Sequence, residues 1–467
     1  MRLYDSLTQE KRDFVPRDGD HVTMYFCGPT VYNYVHLGNA RPFVLSLVAK
    51  RFFQSVGWKV TLVENITDID DRIINKAQKE GRTAREVAEE FAAAYIEDTN
   101  RLGLGRPDIE PCATEHVSEI VALIERLIAN GHAYAVANGD VYYKVESFGA
   151  YGKLSKQRIE EMQHGARVTP GEEKDSPLDF ALWKAAKPGE PSWSSPWGQG
   201  RPGWHIECSA MGLKYLGEGF DIHGGGRDLI FPHHENEIAQ SEGALGGDFV
   251  RFWVHNGMLN TRDEKMSKSI GNIFLLREAL KEYRPETLIC FFVSSHYRSP
   301  IEFSADSLAE AGQQVERLRN VFRALVDYQG PSVADAPGDA ELTAAVEKYR
   351  GAHREAMADD LNTGGALGEV FALAREVNAA LAAKTVSEAA VEQARQALSD
   401  MVYVLGLDAV TRTAQEVPAE VLVLAEARAR ARAERKFAEA DRLRDEIAAA
   451  GFEVRDVPDG FRVVPRE

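Results

Sequence analysis

The sequence predicts an α/β protein whose largest domain is built on a parallel sheet. Residues 22–27 have the apolar composition of a strand that ends at a Gly-Pro break, and residues 59–64 repeat this pattern. Residues 40–55 lie between them and carry apolar side chains at helical spacing. Alternation of strands and helices is typical of a parallel sheet, because each parallel pair needs a long crossover connection.

Further elements continue this alternation. A helix is expected to begin at Thr83, because Thr83 and Glu86 have the spacing of a capping box. The sheet is expected to resume at residues 220–223 and to continue at residues 252–255. These two strands would complete the parallel sheet after an interruption.

The interruption covers residues 115–203. An apolar helix opens this segment and leads to Asn138 and Gly139, a dipeptide that predicts a hairpin between two aromatic-rich strands. Residues 163–203 are then rich in Gly, Pro, Ser and Trp. We therefore expect a connective insertion within the α/β domain.

The remainder of the chain is expected to be mainly helical. Apolar residues share one helical face over residues 308–325, and two or three further helices are expected as far as residue 405. A single charged helix and a short β-like tail after Gly451 would close the chain. The predicted domains are 1–114 with 204–305 for the α/β domain, 115–203 for the insertion, 306–407 for a helical bundle and 419–467 for a small α+β module.

The composition excludes several classes of protein. The chain has 467 residues, of which 44% are hydrophobic and 27% charged, as in an ordinary globular protein. No apolar run approaches the ~20 residues that a membrane-spanning helix needs, and the N-terminus has no signal or transit pattern, so we expect a cytoplasmic protein without a membrane partner. The four cysteines argue against a disulfide scaffold, and Cys112 and Cys290 are expected to be core residues.

The formal net charge of −17 argues against nonspecific coating of nucleic acid. Binding still depends on local patches, and one basic cluster lies near the C-terminus. Its members are Arg428, Arg430, Arg432, Arg435 and Lys436. The cluster could contact nucleic acid or form an ordinary solvated helix face.

Two short motifs predict a nucleotide site. Lys265 and Lys268 lie in the pentapeptide Lys-Met-Ser-Lys-Ser, where two close ammonium groups suit a polyphosphate. His36 and Asn39 lie at a strand-to-helix turn and suit the fixed side of the same site. Either motif alone is weak support, but the pair in this order resembles the signature of class I aminoacyl-tRNA synthetases.

A second set of residues suggests a metal site. Cys27 ends the first strand, Cys208 lies far downstream, and His233 and Glu237 are four residues apart, so they share one helical face. Two thiolates, an imidazole and a carboxylate are plausible ligands for zinc. The spacing fits no zinc finger, and isolated cysteines are more often small buried hydrophobes. The hypothesis therefore depends on the nearby nucleotide motifs.

Three further segments leave alternatives open. His223–Asp228 follow a predicted strand and could border a ligand crevice or form a plain turn. Asn65–Asp71 close the second strand and could serve the same crevice or cap a helix. His233–Glu237 do not form a metalloprotease motif, because Ile238 occupies the place of the second histidine.

These motifs together resemble cysteinyl-tRNA synthetases over nearly the whole chain. The segments that carry the resemblance are Phe26–Tyr32, Asn65–Asp71, Gly203–Met211, Phe220–Ser241 and Lys265–Ser269. The resemblance implies a Rossmann-like catalytic domain with an inserted connective segment, a helical anticodon-side bundle and a small C-terminal module. Two positions depart from the family pattern: Asn39 replaces the usual second histidine, and Phe461 replaces the tryptophan of a Trp-Arg pair.

The resemblance also implies the site residues. The implied zinc ligands are Cys27, Cys208, His233 and Glu237. The implied ATP-binding residues are Pro29, Thr30, His36, Gly38, Asn39, Lys265 and Lys268, with His36 and Asn39 at the α-phosphate and the two lysines at the pyrophosphate. The residues implied to border the cysteine pocket are Thr67, Trp204, His223 and Asp228.

The implied reaction is ATP-dependent ligation of L-cysteine to tRNA(Cys) through a cysteinyl-adenylate, with Mg²⁺ accompanying ATP. One zinc ion per chain would select the substrate thiolate over the hydroxyl of serine. A monomer is expected from the resemblance. Three alternatives are a ligase that joins cysteine to an amino sugar, a non-catalytic tRNA-binding paralogue, and a purely structural role for zinc.

Overall fold

The computed structural model describes residues 1–158, 173–261, 275–331, 335–412, 418–434, 436–457 and 460–465. The strands in these ranges are β1 Arg2–Asp5, β2 Glu10–Asp13, β3 His21–Phe26, β4 Lys59–Glu64, β5 Ala133–Ala135, β6 Val141–Tyr143, β7 Phe180–Ala185, β8 Trp193–Ser195, β9 Gly198–Pro202, β10 Phe220–Gly226, β11 Val250–Asn256, β12 Leu259–Thr261, β13 Ile301–Phe303, β14 Phe452–Val457 and β15 Gly460–Pro465.

The α-helices in the same ranges are α1 Leu37–Ser55, α2 Asp71–Glu80, α3 Ala84–Leu102, α4 Val117–Ala129, α5 Trp204–Leu216, α6 Glu235–Leu245, α7 Leu276–Glu282, α8 Pro285–Val293, α9 Ala305–Val326, α10 Asp339–Ala358, α11 Thr363–Ala383, α12 Glu388–Val404, α13 Ala419–Ala433 and α14 Phe437–Ala449. Among the helices so described, none has the length and apolarity required to cross a membrane.

A parallel sheet of order β11-β10-β3-β4 forms the centre of the first domain, which confirms the predicted α/β class. The strand predicted over residues 59–64 is β4, and the one predicted over residues 22–27 is β3 with bounds one residue earlier. The helix predicted over residues 40–55 is α1, which begins three residues earlier at Leu37. It is buried on most of its surface because it packs against the sheet and against α12 of the bundle.

The predicted capping box is present at the start of α3. The backbone N–H of Glu86 donates to Thr83 Oγ1 at 3.2 Å, and the backbone N–H of Thr83 donates to Glu86 Oε2 at 2.8 Å. Two backbone donors at the helix start are thereby satisfied. The helix then buries Val87, Phe91 and Tyr95 against the core of the α/β domain.

The inserted region folds into an antiparallel sheet of order β5-β6-β7-β9-β8. Asn138 and Gly139 form the turn between β5 and β6, as predicted: Asn138 Oδ1 accepts from Asp140 N at 2.8 Å, and Gly139 has a φ of +94°. Trp183 and Tyr143 are fully buried in a core that this sheet shares with α4. The Gly/Pro/Ser/Trp-rich segment is described from residue 173 onward.

Helices α9 to α12 form the predicted bundle, and the apolar face predicted on α9 is buried. Its members are Leu308, Val315, Leu318, Val321 and Leu325. Cys290 is a buried core residue, as predicted. Burial raises the pKa of its thiol to about 12. Cys112 is only half-buried at the edge of the main core.

The C-terminal module differs from the prediction of one charged helix, because the structure has two, α13 and α14. In one continuous helix Val421 and Ala425 would lie far from Ile447. Two helices that pack side by side bring these apolar residues together and bury them. The predicted β-like tail is the antiparallel hairpin of β14 and β15. Within the predicted basic cluster, Arg428 is buried and Lys436 pairs with Glu434 at 2.7 Å, while Arg435 lies outside the described residues.

Candidate active site

The candidate site lies at the carboxyl edge of the parallel sheet, where ligands bind in open α/β folds. Cys27 directly follows β3, and its backbone N–H donates to Gly224 O of the neighbouring β10 at 3.2 Å. On the other side of β3, Thr30 forms an isolated β-bridge with Thr67, which follows β4. The ends of three adjacent strands are thus joined by backbone hydrogen bonds.

The four predicted metal ligands come together here, and their ligand atoms lie within 4.8 Å of one another. Cys27 Sγ lies 3.9 Å from Cys208 Sγ, 3.5 Å from His233 Nε2 and 3.7 Å from Glu237 Oε1. All four side chains are buried. The chain separations of 181 and 210 residues from Cys27 to Cys208 and Glu237 explain why spacing alone could not identify the cluster.

Helical geometry places His233 and Glu237 side by side. Glu237 lies in the first turn of α6, and His233 lies in the helical turn Ile230–His234 that leads into it, so the two side chains share one face. His233 Nε2 and Glu237 Oε1 are 3.1 Å apart. Cys208 is presented by α5, which packs against α6. The site is therefore fixed by two packed helices and one strand end.

A second possible donor set shares two of these residues. It consists of Cys27, His223, His234 and Glu237. One ion cannot use both sets at once, and the set with Cys208 offers two sulfur donors, which suit zinc better. The predicted set therefore fits the metal better.

The electrostatics of the predicted set favour a divalent cation. A hydrogen bond from Cys27 lowers the pKa of Cys208 to about 6, while burial raises the pKa of Cys27 well above its usual range. Burial opposes ionisation of Glu237, but the neighbouring His223 and His233 outweigh it and lower the pKa of Glu237 to about 2. A thiolate and a carboxylate thus face one buried point, and their donor chemistry fits zinc.

The predicted cysteine-pocket residues differ in how close they lie to this donor set. Trp204 stacks on the His233 ring with centroids 4.4 Å apart, and His223 Nε2 lies 2.9 Å from Glu237 Oε2. Asp228 is exposed and lies two residues beyond the end of β10, at the rim of the site. The structure therefore brings Trp204 and His223 into direct contact with the donor set and leaves Asp228 outside it.

Thr67 is connected to the donor set through Asn65 and Glu207, neither of which was predicted as a site residue. Thr67 Oγ1 lies 3.0 Å from Glu207 Oε2 and accepts from Asn65 Nδ2 at 3.2 Å. Asn65 Oδ1 in turn lies 3.7 Å from Cys208 Sγ and accepts from Gly28 N at 3.0 Å. Asn65 and Glu207 both lie inside motif segments, which was the only signal available before the fold was known.

Two further histidines, the half-buried His205 and the buried His234, also belong to the site. His205 Nδ1 lies 2.9 Å from His233 Nδ1, and His234 Nε2 lies 3.4 Å from Cys27 Sγ. Burial lowers the pKa of both His205 and His234 well below the usual range, so these rings are neutral near pH 7. The site is therefore lined by neutral imidazoles around a charged donor set.

The described part of the nucleotide motif lies at the start of α1. Gly38 N donates to His36 Nδ1 at 3.1 Å, so Nδ1 is unprotonated and the proton of the neutral ring lies on Nε2. Partial desolvation of the ring by neighbouring groups lowers the pKa of His36, which favours this neutral form. His36 and Asn39 are exposed at the amino end of a 19-residue helix, where anions are stabilised.

Pro29 and Thr30 lie in the segment of the chain that joins Cys27 to the start of α1. Pro29 O accepts from Thr67 N at 3.1 Å, and Thr30 Oγ1 accepts from Arg72 Nη2 at 2.9 Å. Pro29 and Thr30 therefore adjoin Thr67 of the predicted cysteine pocket. Lys265 and Lys268 lie outside the described residues.

Comparisons with known proteins bear on the whole chain. Residues 13–313 match the family described as tRNA synthetases class I (C) catalytic domain. Residues 352–409 match the DALR domain, and residues 414–463 match the cysteinyl-tRNA ligase anticodon binding domain. The three matches follow one another in the order expected from the resemblance.

Two curated relatives extend over almost the same length. The chain is 47% identical over 464 residues to the cysteine–tRNA ligase of Caldicellulosiruptor saccharolyticus, with 99% of each chain covered. It is 49% identical over 477 residues to the cysteine–tRNA ligase of Geobacter sulfurreducens, with 98% of each chain covered. Such identity over whole chains shows the family.

Solved structures show the fold. A Mycobacterium tuberculosis methionyl-tRNA synthetase in complex with methionyl-adenylate has a TM-score of 0.61 at 14% identity, covering 90% of this chain and 96% of that one. An Agrobacterium radiobacter LeuRS in complex with tRNA and LeuAMS has a TM-score of 0.60 at 10% identity, covering 85% and 86%. From the matches over its catalytic and C-terminal domains and its full-length relatives, this chain belongs to the cysteinyl-tRNA synthetase family of class I aminoacyl-tRNA synthetases.

Proposed function

We propose that this protein ligates L-cysteine to tRNA(Cys) with ATP, through a cysteinyl-adenylate. The observation that carries the proposal is the buried donor set of Cys27, Cys208, His233 and Glu237 at the carboxyl edge of the parallel sheet on which α1 packs. A site for a soft metal next to a site for an anion suits an amino acid with a thiol side chain and a nucleotide triphosphate. The family of the chain supports the same reaction.

Zinc bound to these four residues would supply a soft Lewis acid that favours a thiolate over the hydroxyl of serine. An apolar pocket alone separates such near-isosteres by only about a hundredfold. The chain contributes the surroundings: Trp204 stacks on His233, and His223 contacts Glu237. These contacts would hold the ligands in place and keep water from the pocket.

In the first step the carboxylate of cysteine attacks the α-phosphorus of ATP, and the bond to pyrophosphate breaks. We assign His36 Nε2–H and Asn39 to the charge that develops on the α-phosphate. Lys265 and Lys268 are assigned to pyrophosphate, with Mg²⁺ accompanying ATP. In the second step the 2′-hydroxyl of the terminal adenosine attacks the activated carbonyl, and AMP leaves.

The C-terminal half would bind the tRNA. Residues 306–407 are proposed as the anticodon-side bundle, and residues 419–467 as the module that completes it, while residues 115–203 form the insertion in the catalytic domain (1–114 with 204–305). We further propose a cytoplasmic monomer. A ligase that joins cysteine to an amino sugar is less well supported, because residues 414–463 match an anticodon-binding family.

The test is cysteine-dependent exchange of labelled pyrophosphate into ATP, with serine as the control substrate. We expect exchange with cysteine and almost none with serine. Lys268→Ala should lower exchange by about 10²–10³-fold, the usual loss for one donor to developing charge. Lys281→Ala, an exposed lysine paired with Glu278 on α7, is the matched control. Cysteine-independent exchange, or transfer of cysteine to an amino sugar and not to tRNA, would contradict the proposal.

A further inference from the structure

Arg41 lies in the second turn of α1, five residues after His36, and only 2% of it is exposed. A buried guanidinium is unusual, because removal of its charge from water is costly unless its donors are satisfied. Burial lowers the pKa of Arg41 only to about 10, so it remains charged at neutral pH. The partners of its hydrogen bonds therefore indicate the structural role of this buried charge.

Within the described residues Arg41 donates three hydrogen bonds, all to backbone carbonyl groups of other segments, while its buried Nε has no partner there. Nη1 donates to Gly257 O at 2.6 Å and to Met258 O at 3.4 Å, and Nη2 donates to His296 O at 3.3 Å. Gly257 and Met258 directly follow β11, whereas His296 follows α8. One side chain thus ties α1 to two segments that are distant in sequence.

These two segments also contact each other closely. Gly257 N donates to Tyr297 O at 2.8 Å, and Ile301 N donates to Met258 O at 3.0 Å. A Cβ atom at Gly257 would lie 2.4 Å from Ser299 O, so only glycine fits there. The two segments are therefore held in one arrangement where they cross. The charge-assisted hydrogen bonds from Arg41 attach α1 to this crossing.

The position of this crossing matters for the reaction. Gly257 and Met258 leave the carboxyl edge of the sheet, where ligands bind in this fold. Arg41 lies on the same helix as Asn39, and His36 caps the start of that helix, so its contacts bear on the distance between those two residues and the segment after β11. A backbone bond from Leu276 N to Val35 O at 2.8 Å adds a second tie just before the helix.

We propose that Arg41 is a positioning residue for adenylate formation, which holds the amino end of α1 at a fixed distance from the Gly257–Met258 segment. The inference rests on the proposed function. Arg41 acts through backbone geometry and touches no substrate in this account. A misplacement of about 1 Å far from the chemistry can cost on the order of a hundredfold in rate.

The experiment compares Arg41→Lys and Arg41→Gln with the wild-type protein in cysteine-dependent pyrophosphate exchange. Active-site titration gives the fraction of molecules that form adenylate, so that each kcat refers to active sites. We expect kcat per active site to fall about a hundredfold for Arg41→Gln and less for Arg41→Lys, which keeps the charge. The KM for cysteine should stay within about twofold, because the donor set lies on other elements.

Arg51→Lys is the matched control. Arg51 lies on the same helix and also donates to a carbonyl, Tyr403 O at 2.8 Å, but it faces the bundle. We expect its kcat per active site to equal that of the wild type within about twofold. If Arg41→Gln does not fold, as judged by thermal melting, Arg41→Lys decides the question.

Different results would contradict the positioning role of Arg41 and the proposed function. Normal kcat per active site in Arg41→Lys and Arg41→Gln would overturn the positioning role, and so would a loss explained entirely by fewer active molecules. Absence of exchange in the wild-type protein would instead overturn the proposed function. A lower kcat with an unchanged KM for cysteine supports the inference.

Discussion

His223 Nε2 lies 2.9 Å from Glu237 Oε2, while the other oxygen of the same carboxylate lies 3.1 Å from His233 Nε2. One carboxylate thus serves two histidines from different elements. His223 belongs to β10, so the sheet itself orients Glu237 toward the donor set. Such outer contacts commonly fix the geometry of a metal ligand.

The first prediction follows from this contact. His223→Ala should weaken metal binding by about 10–100-fold, the usual loss when an outer partner of a ligand is removed. Competition with a chromophoric chelator measures the affinity without reference to activity. His353→Ala removes another buried histidine, within the bundle, and should leave metal affinity unchanged. Equal affinity of His223→Ala and wild type would show that Glu237 needs no such support.

The second prediction concerns Cys208. Cys208→Ser should lose the metal and cysteine activation together, because a serine hydroxyl does not ionise near neutral pH and is a poor zinc ligand. Elemental analysis should give about one zinc per chain for the wild-type protein. Cys112→Ser changes a half-buried cysteine outside the donor set and should retain that zinc. A zinc-free variant that still prefers cysteine to serine would refute the proposed selectivity.

The third prediction concerns Asp360, where the α/β domain meets the bundle. The buried carboxylate accepts from Tyr4 N, Tyr297 Oη and Arg298 Nε, each at 2.8 Å. Asp360→Ala should lower the free energy of unfolding by about 3 kcal/mol, because buried polar partners lose their acceptor. Urea denaturation measures this change.

The neighbouring residue supplies the control for that measurement. Asp359 is more exposed and forms an ion pair with Lys11 at 2.8 Å. Asp359→Ala should cost less than about 1 kcal/mol, as is usual for surface pairs. Equal losses at Asp359 and Asp360 would mean that burial does not distinguish these carboxylates.

The fourth prediction concerns Glu64, which ends β4 and is buried. Burial raises its pKa to about 7, although Ser46 and the nearby Arg106 and Lys50 oppose this shift. Since the folded pKa lies above the unfolded one, the folded state binds the proton more tightly. The resulting stability is fully present below about pH 4.5 and is lost as the pH rises through about 7.

Glu64→Gln should remove this dependence. A neutral amide can still contact Ser46 Oγ, so the variant should gain stability relative to wild type between pH 4.5 and pH 8, by at most about 3 kcal/mol. Denaturation midpoints across this range give the comparison. Glu125→Gln, an exposed change on α4, should follow the wild-type profile. If stability depends on pH in the same way in wild type and Glu64→Gln, a group other than Glu64 causes the dependence.

Local pattern predicted much of the fold. The strand over residues 59–64, the capping box at Thr83 and the turn at Asn138 each depend on neighbouring residues, so the sequence was sufficient. The single C-terminal helix was wrong, because the break before α14 depends on packing of Val421 against Ile447. The sequence between the two helices contains no Gly or Pro that would indicate a helix end, so the break was not predicted.

Local periodicity determined the fold class, and the family motifs in the sequence indicated the four candidate donor residues. Only the tertiary structure decided which of two overlapping donor sets is better suited to a metal, how His223 and Asn65 contact it, and that Arg41 spans three carbonyls. These relationships join residues up to 255 positions apart. Side-chain distances across a folded core depend on how helices pack on the sheet, and no periodicity along the chain encodes them.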